Sequence, residues 1–319
     1  NGTPTSENVR QYLRRWVWWL TSVVGFDGFR LDAVKHIPPA FLGWAPDQPL
    51  FGDNFANGDI LPYAYSVNPN LTIFGEDYTS NNYELREFAK TGMNLLDFPL
   101  KFKINDLFNS KGFGDLGSIA NGWGIDGATG LPYENGGLGA DVSVAFVQSH
   151  DDGPPESDNL AHALIMGRVA RPKVYYDGNN VQPGNWSNFP RPGRADALRL
   201  GGDVARMVDA RARFGRGGIF TRWSSKNLVV FERQVNGSGV MLVGLNNRGD
   251  TALGATVQTA FEPGTVLMDL AGQQPDVVVD PSRRAALTVP SNGPSGAPNN
   301  GRGSVSYAPK TPPPVQGVA

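Results

Sequence analysis

Three carboxylates, Asp32, Glu76 and Asp151, each follow closely after a short apolar run. Side chains alternate along a strand, so Arg30 and Asp32 would share one face. An arginine two residues away keeps a carboxylate ionised and oriented, as a nucleophile requires. Apolar neighbours suit Glu76 to work as a general acid, and Gly75 beside it is expected to leave room for a ligand. These residue types predict nucleophilic and acid–base chemistry.

Each of these motifs also has a structural interpretation. Arg30 and Asp32 could form a structural ion pair, and Glu76 could lie in the acidic first turn of a helix. Asp151 could lie in a surface turn, or could bind a divalent metal together with His150. The coincidence of three carboxylates at strand ends favours a functional site, because unrelated structural residues would be scattered over both ends of the strands.

The elements that would position these residues alternate along the first two thirds of the chain. Apolar runs typical of buried strands lie at 26–33, 71–75, 94–100, 142–148 and 173–176. Helical patterns lie at 7–24, 83–90, 103–108, 158–169 and 203–214, the first with Ser6 and Gly25 at its expected ends. Buried strands that alternate with helices predict an α/β fold with a parallel sheet. Carboxylates at the carboxyl ends of strands favour a partial (β/α)8 TIM barrel, about its last five strands, over a doubly wound sheet.

The texture of the sequence changes near residue 218. Short β-rich segments follow, separated by turn signals such as Asn236-Gly237. This pattern predicts an antiparallel β-sandwich domain. The predicted domains are therefore 1–217, the C-terminal part of a catalytic α/β barrel, 218–308, the sandwich, and 309–319, a Pro-rich tail or linker.

Composition excludes several classes of function. The chain of 319 residues has 28 basic and 30 acidic side chains, a net charge of −2, which gives no reason to expect a nucleic-acid partner. The absence of cysteine excludes disulfides, thiolate nucleophiles and Cys-ligated zinc, and three histidines leave little for a His-built metal site. No apolar run approaches the ~20 residues of a membrane span. We expect a monomer with neither a nucleic-acid nor a membrane partner.

The segment GFRLDAVKH at residues 28–36, followed in order by Glu76 and by the pair His150-Asp151, resembles three signature regions of the α-amylase family of glycoside hydrolases. The resemblance covers most of the chain. It implies that Asp32 is the nucleophile that forms a covalent glycosyl intermediate. It implies that Glu76 is the general acid that later acts as base, and that Asp151 is the third carboxylate, which holds the distorted sugar.

Six side chains are expected to bind substrate: Arg30, Lys35, His36, His150, Trp44 and Tyr78. The resemblance implies the first four, with Arg30 also orienting the nucleophile. The aromatic faces of Trp44 and Tyr78 suit the apolar faces of glucose rings. The resemblance further implies that the backbone carbonyl of His36 is one ligand of a structural calcium, most of whose ligands are expected in a part that precedes this chain.

The function that the resemblance implies is retaining endo-hydrolysis of α-1,4-glucosidic bonds in starch- or glycogen-type glucans, with an α-glucan polysaccharide or maltooligosaccharide as substrate and an extracellular location. A transglycosylase or α-glucosidase of the same family is one alternative, and a non-catalytic glucan-binding module is another. Ser149 departs from the family pattern, in which asparagine usually precedes His-Asp. The first three barrel strands have no counterpart, so the fragment by itself could be inactive.

Overall fold

The computed structural model describes residues 6–43, 60–109, 114–120, 124–125, 132–133, 138–139, 142–149, 151–153, 155, 157–169, 171–172, 203–293 and 303–310. The α-helices are α1 (Val9–Trp18), α2 (Pro39–Leu42), α3 (Ile60–Val67), α4 (Asn82–Ala89), α5 (Phe98–Phe108), α6 (Gly117–Ala120), α7 (Asp158–Gly167) and α8 (Asp203–Phe214). Across these described ranges, no helix combines the length and the apolar character that a membrane span requires.

Fifteen strands are described, several of them two or three residues long. They are β1 (Gly28–Leu31), β2 (Thr72–Gly75), β3 (Asn94–Leu96), β4 (Gly124–Ile125), β5 (Pro132–Tyr133), β6 (Ser143–Ala145), β7 (Arg171–Pro172), β8 (Gly218–Ser224), β9 (Leu228–Val235), β10 (Ser238–Asn246), β11 (Leu253–Gln258), β12 (Val266–Asp269), β13 (Val277–Val278), β14 (Arg284–Val289) and β15 (Ser304–Pro309).

The chain divides into two compact units. Unit 1 comprises Asn1–Pro99 with Asp141–Val144, and unit 2 comprises Leu100–Ala140 with Ala145–Ala319. The predicted boundaries at 217 and 308 instead separate segments by their type of secondary structure, and they stay a prediction.

Unit 1 is built on a parallel sheet whose strand order begins β1-β2-β3-β6, with β1 at its end. The first strand pair needs a glycine, because a Cβ at Gly28 would lie 2.1 Å from the carbonyl oxygen of Thr72. The predicted run at 94–100 is too long as a strand, since β3 ends at Leu96 and α5 begins at Phe98. The predicted run at 173–176 lies outside the described residues.

The first helix of unit 1 begins and ends with specific backbone devices. Its N-cap is Asn8, whose side chain accepts from the amide of Gln11, while the Gln11 side chain accepts from the Asn8 amide. The prediction of Ser6 as N-cap is therefore wrong, because the sequence offers a complete capping box two residues later. The helix continues as a π-helix, Trp19–Val24, and stops at Gly25, whose φ of +86° confirms the predicted stop.

Unit 2 contains a six-stranded sheet in the order β13-β12-β15-β10-β9-β8, and β11 pairs with β14 as a second, antiparallel sheet. Strand β9 is buried along nearly its whole length. Its alternate side chains enter two cores: Val229 and Phe231 pack with the helical residues of unit 2, whereas Leu228 and Val230 pack with β11 and β14. The predicted antiparallel sandwich is confirmed, and its strand β9 also packs against the helical residues of unit 2.

Candidate active site

Arg30 on β1 binds two carboxylates at once. Its Nη1 donates to Oδ1 of Asp32 at 2.5 Å, and its Nη2 lies 2.8 Å from Oε1 of Glu76. Arg30 stands opposite Phe74 in the parallel register, so Asp32 and Glu76 leave neighbouring strands at the same end. The structure therefore brings together the arginine and two of the three carboxylates that the sequence singled out.

The backbone beyond β1 and β2 keeps these two carboxylates in register. The amide of Glu76 donates to the carbonyl of Leu31 at 2.8 Å, and the amide of Val34 donates to the carbonyl of Glu76 at 2.9 Å. Ala33 has a φ of +45°, in the left-handed region that costs an ordinary residue about 1–2 kcal/mol. Its amide nitrogen lies 3.4 Å from Oε2 of Glu76. The chain thus turns sharply just after Asp32 while remaining bonded to the neighbouring strand.

The two carboxylates differ in their access to solvent. The side chain of Asp32 is 73% exposed, whereas that of Glu76 is 15% exposed. An exposed carboxylate that is held by one charge-assisted hydrogen bond can be approached by an electrophilic carbon. A more buried carboxyl beside it is suited to proton transfer. The pair therefore has the accessibility that a nucleophile and an acid–base partner require.

Gly75 has a packing role. A Cβ at this position would lie 2.8 Å from Sδ of Met93 and 3.1 Å from Cγ1 of Val34. The expectation that Gly75 leaves room for a ligand is wrong, because core side chains occupy that space. The same glycine still serves the site, since it lets β2 pack closely just before Glu76.

Asp77 is a buried acid that sequence reasoning did not single out. Its side chain is fully buried, and neither carboxylate oxygen has a hydrogen-bond partner among the described residues. Burial raises the pKa of Asp77 to about 6, and the negative charge of Glu84 acts in the same direction. The positive charges of Lys35 and His36 oppose that rise. The signal that could have identified Asp77 is its position, two residues after the end of β2 and next to Glu76.

The interpretation of Glu76 as part of a helix first turn is wrong. Helix α4 begins at Asn82, and its N-cap is Asn81, whose side chain accepts from the amide of Tyr83. The acidic residue of that first turn is Glu84. Glu76 lies well before this helix, so the helix dipole does not account for its position.

Three of the predicted substrate-binding residues of unit 1, Lys35, His36 and Tyr78, are exposed. Lys35 and His36 lie in the short 3-10 turn Val34–His36 and line an open groove of about 550 Å³. Tyr78 is 54% exposed, and its ring centre lies 4.7 Å from that of buried Phe98 at an angle of 56°. A half-exposed aromatic ring that packs against a buried one is suited to stacking on a sugar. Trp44 lies outside the described residues.

Asp151 lies in unit 2, in an exposed turn that follows β6. The hydroxyl of Ser149 accepts from the amides of Asp151 and Asp152 at 3.2 and 3.1 Å, and the Ser149 amide donates to the carbonyl of Asp152 at 2.9 Å. Ser149 therefore shapes this turn through local hydrogen bonds. His150 lies outside the described residues.

The described residues do not themselves form a metal site. Among them, no group of three or more histidine or acidic side chains is placed to hold a metal ion. The carbonyl of His36 remains the one calcium ligand named from the resemblance, and the calcium site stays a prediction.

Comparison with known proteins finds relatives that this chain matches over only part of their length. No family model matches the chain. Cyclomaltodextrin glucanotransferases from Niallia circulans, Paenibacillus macerans and Thermoanaerobacterium thermosulfurigenes are 25%, 26% and 27% identical to it over 273, 278 and 271 residues. Each alignment covers 80% of this chain and 34% of the relative, so the chain spans about a third of the length of these curated relatives.

Solved structures share the fold. An Anoxybacillus α-amylase matches with a TM-score of 0.65 at 17% identity, over 95% of this chain and 64% of that chain. A cyclomaltodextrin glucanotransferase with a three-domain ABC distribution matches with a TM-score of 0.63 at 20% identity, over 95% and 60%. The chain is similar in sequence to cyclomaltodextrin glucanotransferases and in fold to an α-amylase. The resemblance to the α-amylase family is thereby confirmed at partial coverage, as is the predicted fold, part of an α/β barrel with a β-sandwich.

Proposed function

We propose that the protein containing this chain is a retaining enzyme that cleaves α-glucosidic bonds in glucans, with Asp32 as nucleophile and Glu76 as general acid and base. The single observation that supports this most is the binding of both carboxylates by Arg30, at 2.5 and 2.8 Å. Two carboxylates that share one guanidinium lie close together, which suits the spacing of about 5–5.5 Å in retaining enzymes better than the wider spacing of inverting ones.

The first half-reaction follows from these positions. Glu76 gives its proton to the glycosidic oxygen while Asp32 attacks the anomeric carbon, and the bond to the leaving sugar breaks. Asp32 loses its negative charge on forming the ester, and Glu76 gains one on losing its proton. Arg30 therefore faces one negative charge before and after the step, which keeps the electrostatic cost of charge transfer low.

The second half-reaction runs in reverse with a new acceptor. Glu76 removes a proton from the acceptor hydroxyl, which attacks the ester carbon and releases Asp32 as a carboxylate. Water as acceptor gives hydrolysis, and a sugar hydroxyl gives transfer. Within this proposal Lys35, His36 and Tyr78 bind the sugars next to the cleaved bond, and Asp151 with His150 holds the distorted ring.

We propose endo-hydrolysis of α-1,4 bonds, with transglycosylation as the second candidate. The second candidate is supported by the curated relatives, which are cyclomaltodextrin glucanotransferases. The products formed from soluble starch separate the two. Linear maltooligosaccharides support hydrolysis, whereas cyclic glucans or elongated acceptors support transfer. We also propose an extracellular location, because a polymeric glucan is too large to import.

The proposed mechanism is tested by trapping its intermediate. The complete polypeptide is incubated with a 5-fluoro-α-glycosyl fluoride, which forms the ester faster than it is released, and the labelled peptide is identified by mass spectrometry. The label is expected on Asp32, and natural substrate is expected to give a product of retained α-configuration. A label on another residue, or a β-configured first product, would contradict the proposal.

A further inference from the structure

Lys101 is a buried cation that the mechanism does not use. It lies on α5 within unit 2, and its side chain has no solvent exposure. Its ammonium donates to Oδ1 of Asn105 at 2.8 Å and to the carbonyl oxygen of Gly153 at 2.9 Å. Burying an ammonium is costly, and a methionine would fill the same space at no such cost. A basic side chain at this buried position therefore indicates a role beyond packing.

The carbonyl that Lys101 binds belongs to the turn that carries Asp151. Gly153 is two residues from Asp151, and the turn before it is closed by the bonds of Ser149 to Asp151 and Asp152. Those bonds are local and fix the shape of the turn. The ammonium adds a bond from a helix to the same turn, so Lys101 contributes to the position of Asp151.

Two acidic side chains of unit 2, Asp152 and Asp158, act electrostatically on this ammonium. Burial lowers the pKa of Lys101, and the negative charges of Asp152 and Asp158 oppose that shift. Asp158 is itself held near His162, whose Nδ1 lies 2.8 Å from Oδ1 of Asp158. The ammonium thus donates to the side-chain oxygen of Asn105 and to a turn carbonyl. It also experiences the charges of two carboxylates, and all of these groups belong to unit 2.

We infer that Lys101 is a positioning residue, which holds the backbone at Gly153 and thereby helps to place Asp151 for sugar distortion. This inference deepens the proposed function and rests on it for its effect on turnover. Misplacing a substrate-contacting group by about 1 Å commonly costs about 10²-fold in rate. Binding of ground-state sugar depends on other residues, so KM should change little.

The test compares Lys101→Met with Lys103→Met in the complete polypeptide. Lys103 lies on the same helix, is partly exposed, and serves as the matched control. For Lys101→Met we expect kcat on an aryl maltooligosaccharide to fall roughly 10–100-fold with KM within about twofold. Amide hydrogen exchange at Asp151 and Asp152 should accelerate about tenfold or more while the rest of α5 keeps its protection. Lys103→Met should change neither quantity.

Three outcomes overturn or separate the proposals. Wild-type kcat and wild-type exchange in Lys101→Met would overturn the inference. A lower Tm with normal kcat in the folded fraction would also overturn it, because Lys101 would then be merely structural. If the wild-type protein itself has no activity on any α-glucan, the proposed function fails, and the exchange of the turn alone then decides the inference.

A second variant covers the case in which Lys101→Met does not fold. Lys101→Gln keeps a polar N–H donor in the same space but removes the charge. For Lys101→Gln we expect a reduced kcat and an unchanged KM. The amides of Asp151 and Asp152 should exchange faster than in the wild type, but more slowly than in a variant without a donor at position 101. Wild-type kcat and protection in Lys101→Gln would show that the ammonium does not position the turn.

Discussion

Within the described residues, two places share the same local pattern, an arginine followed two residues later by an aspartate. Arg248 binds Asp250 through Nε and Nη2 at 2.8 and 2.5 Å, and Asp250 is 66% exposed. Arg30 binds Asp32 at 2.5 Å through one nitrogen, and Asp32 is similarly exposed. The two aspartates thus share the same spacing from an arginine and a similar exposure.

The difference lies in what the second half of each guanidinium does. Arg248 gives two nitrogens to one aspartate in a turn between strands of the sandwich. Arg30 gives its second nitrogen to Glu76, which comes from another strand of a parallel sheet. An arginine–aspartate pair therefore indicates a site when the same arginine also recruits a distant carboxylate. Spacing along the chain does not carry that information.

The largest expected effect separates the two aspartates. Asp32→Asn should lower the rate of glucan cleavage by about 10⁴-fold or more, because an amide cannot form the glycosyl ester. Asp250→Asn, its matched control, should leave the rate within about twofold. Initial rates on an aryl maltooligosaccharide, with circular dichroism to verify folding, provide the measurement. Residual activity above about 1% in Asp32→Asn would remove the distinction between the two pairs.

The next effect tests the two-carboxylate contact itself. Arg30→Lys keeps the charge but loses the planar fork that reaches both Asp32 and Glu76, so kcat/KM should fall about 10²–10³-fold. Arg248→Lys should leave kcat/KM unchanged, because its partner takes no part in the chemistry. Steady-state kinetics of both variants make the comparison. Equal behaviour of the two would mean that the Glu76 contact adds nothing to catalysis.

A smaller effect concerns stability near the site. The pKa of Asp77 is raised to about 6, so between its unfolded pKa and pH 6 the unfolded state loses a proton that the folded state keeps. Wild-type stability therefore falls as pH rises through that window, and Asp77→Asn removes the loss. The advantage of the variant should grow by up to about 3 kcal/mol from about pH 3 to pH 7 and then stay level. Urea unfolding at several pH values measures it.

Asp250→Asn supplies the opposite trend as a control for that measurement. The hydrogen bond from Arg248 lowers the pKa of Asp250, so its contribution to stability is present above the unfolded pKa and is lost as pH falls. The variant should therefore be at a slight disadvantage at neutral pH that disappears in acid. A pH-independent advantage of Asp77→Asn would show that the acid is not held in an unfavourable environment.

Much of the fold followed from periodicity. The spacing at 203–214 predicts α8 with its observed ends, and the apolar run at 71–75 predicts β2 within one residue. The turn signals after residue 218 predict the sandwich. Strands β8, β11 and β15 have weaker apolar patterns, and the sequence alone does not delimit them. These successes share a cause, because each pattern depends on burial of one face over several consecutive residues.

The missing parts of the site depend on tertiary contacts. That Arg30 would reach Glu76 requires the parallel register of β1 and β2, which no local pattern states. The sequence predicts no special role for Lys101, a basic residue in a helix. In the structure its ammonium is buried and donates to the carbonyl of Gly153. Asp77 reads as part of an acidic pair, yet it is buried without a hydrogen-bond partner in the described chain. Each case needs knowledge of which segment lies across from the residue.

The position of β1 at the end of its sheet has a consequence for the chemistry. In the described part of the chain its backbone is bonded on the side of β2, and its other side offers free amides and carbonyls to an extended segment. A segment that pairs there would flatten or twist the strand that carries Arg30. Under the proposed function, turnover at Asp32 should then depend on the segment that pairs with that edge.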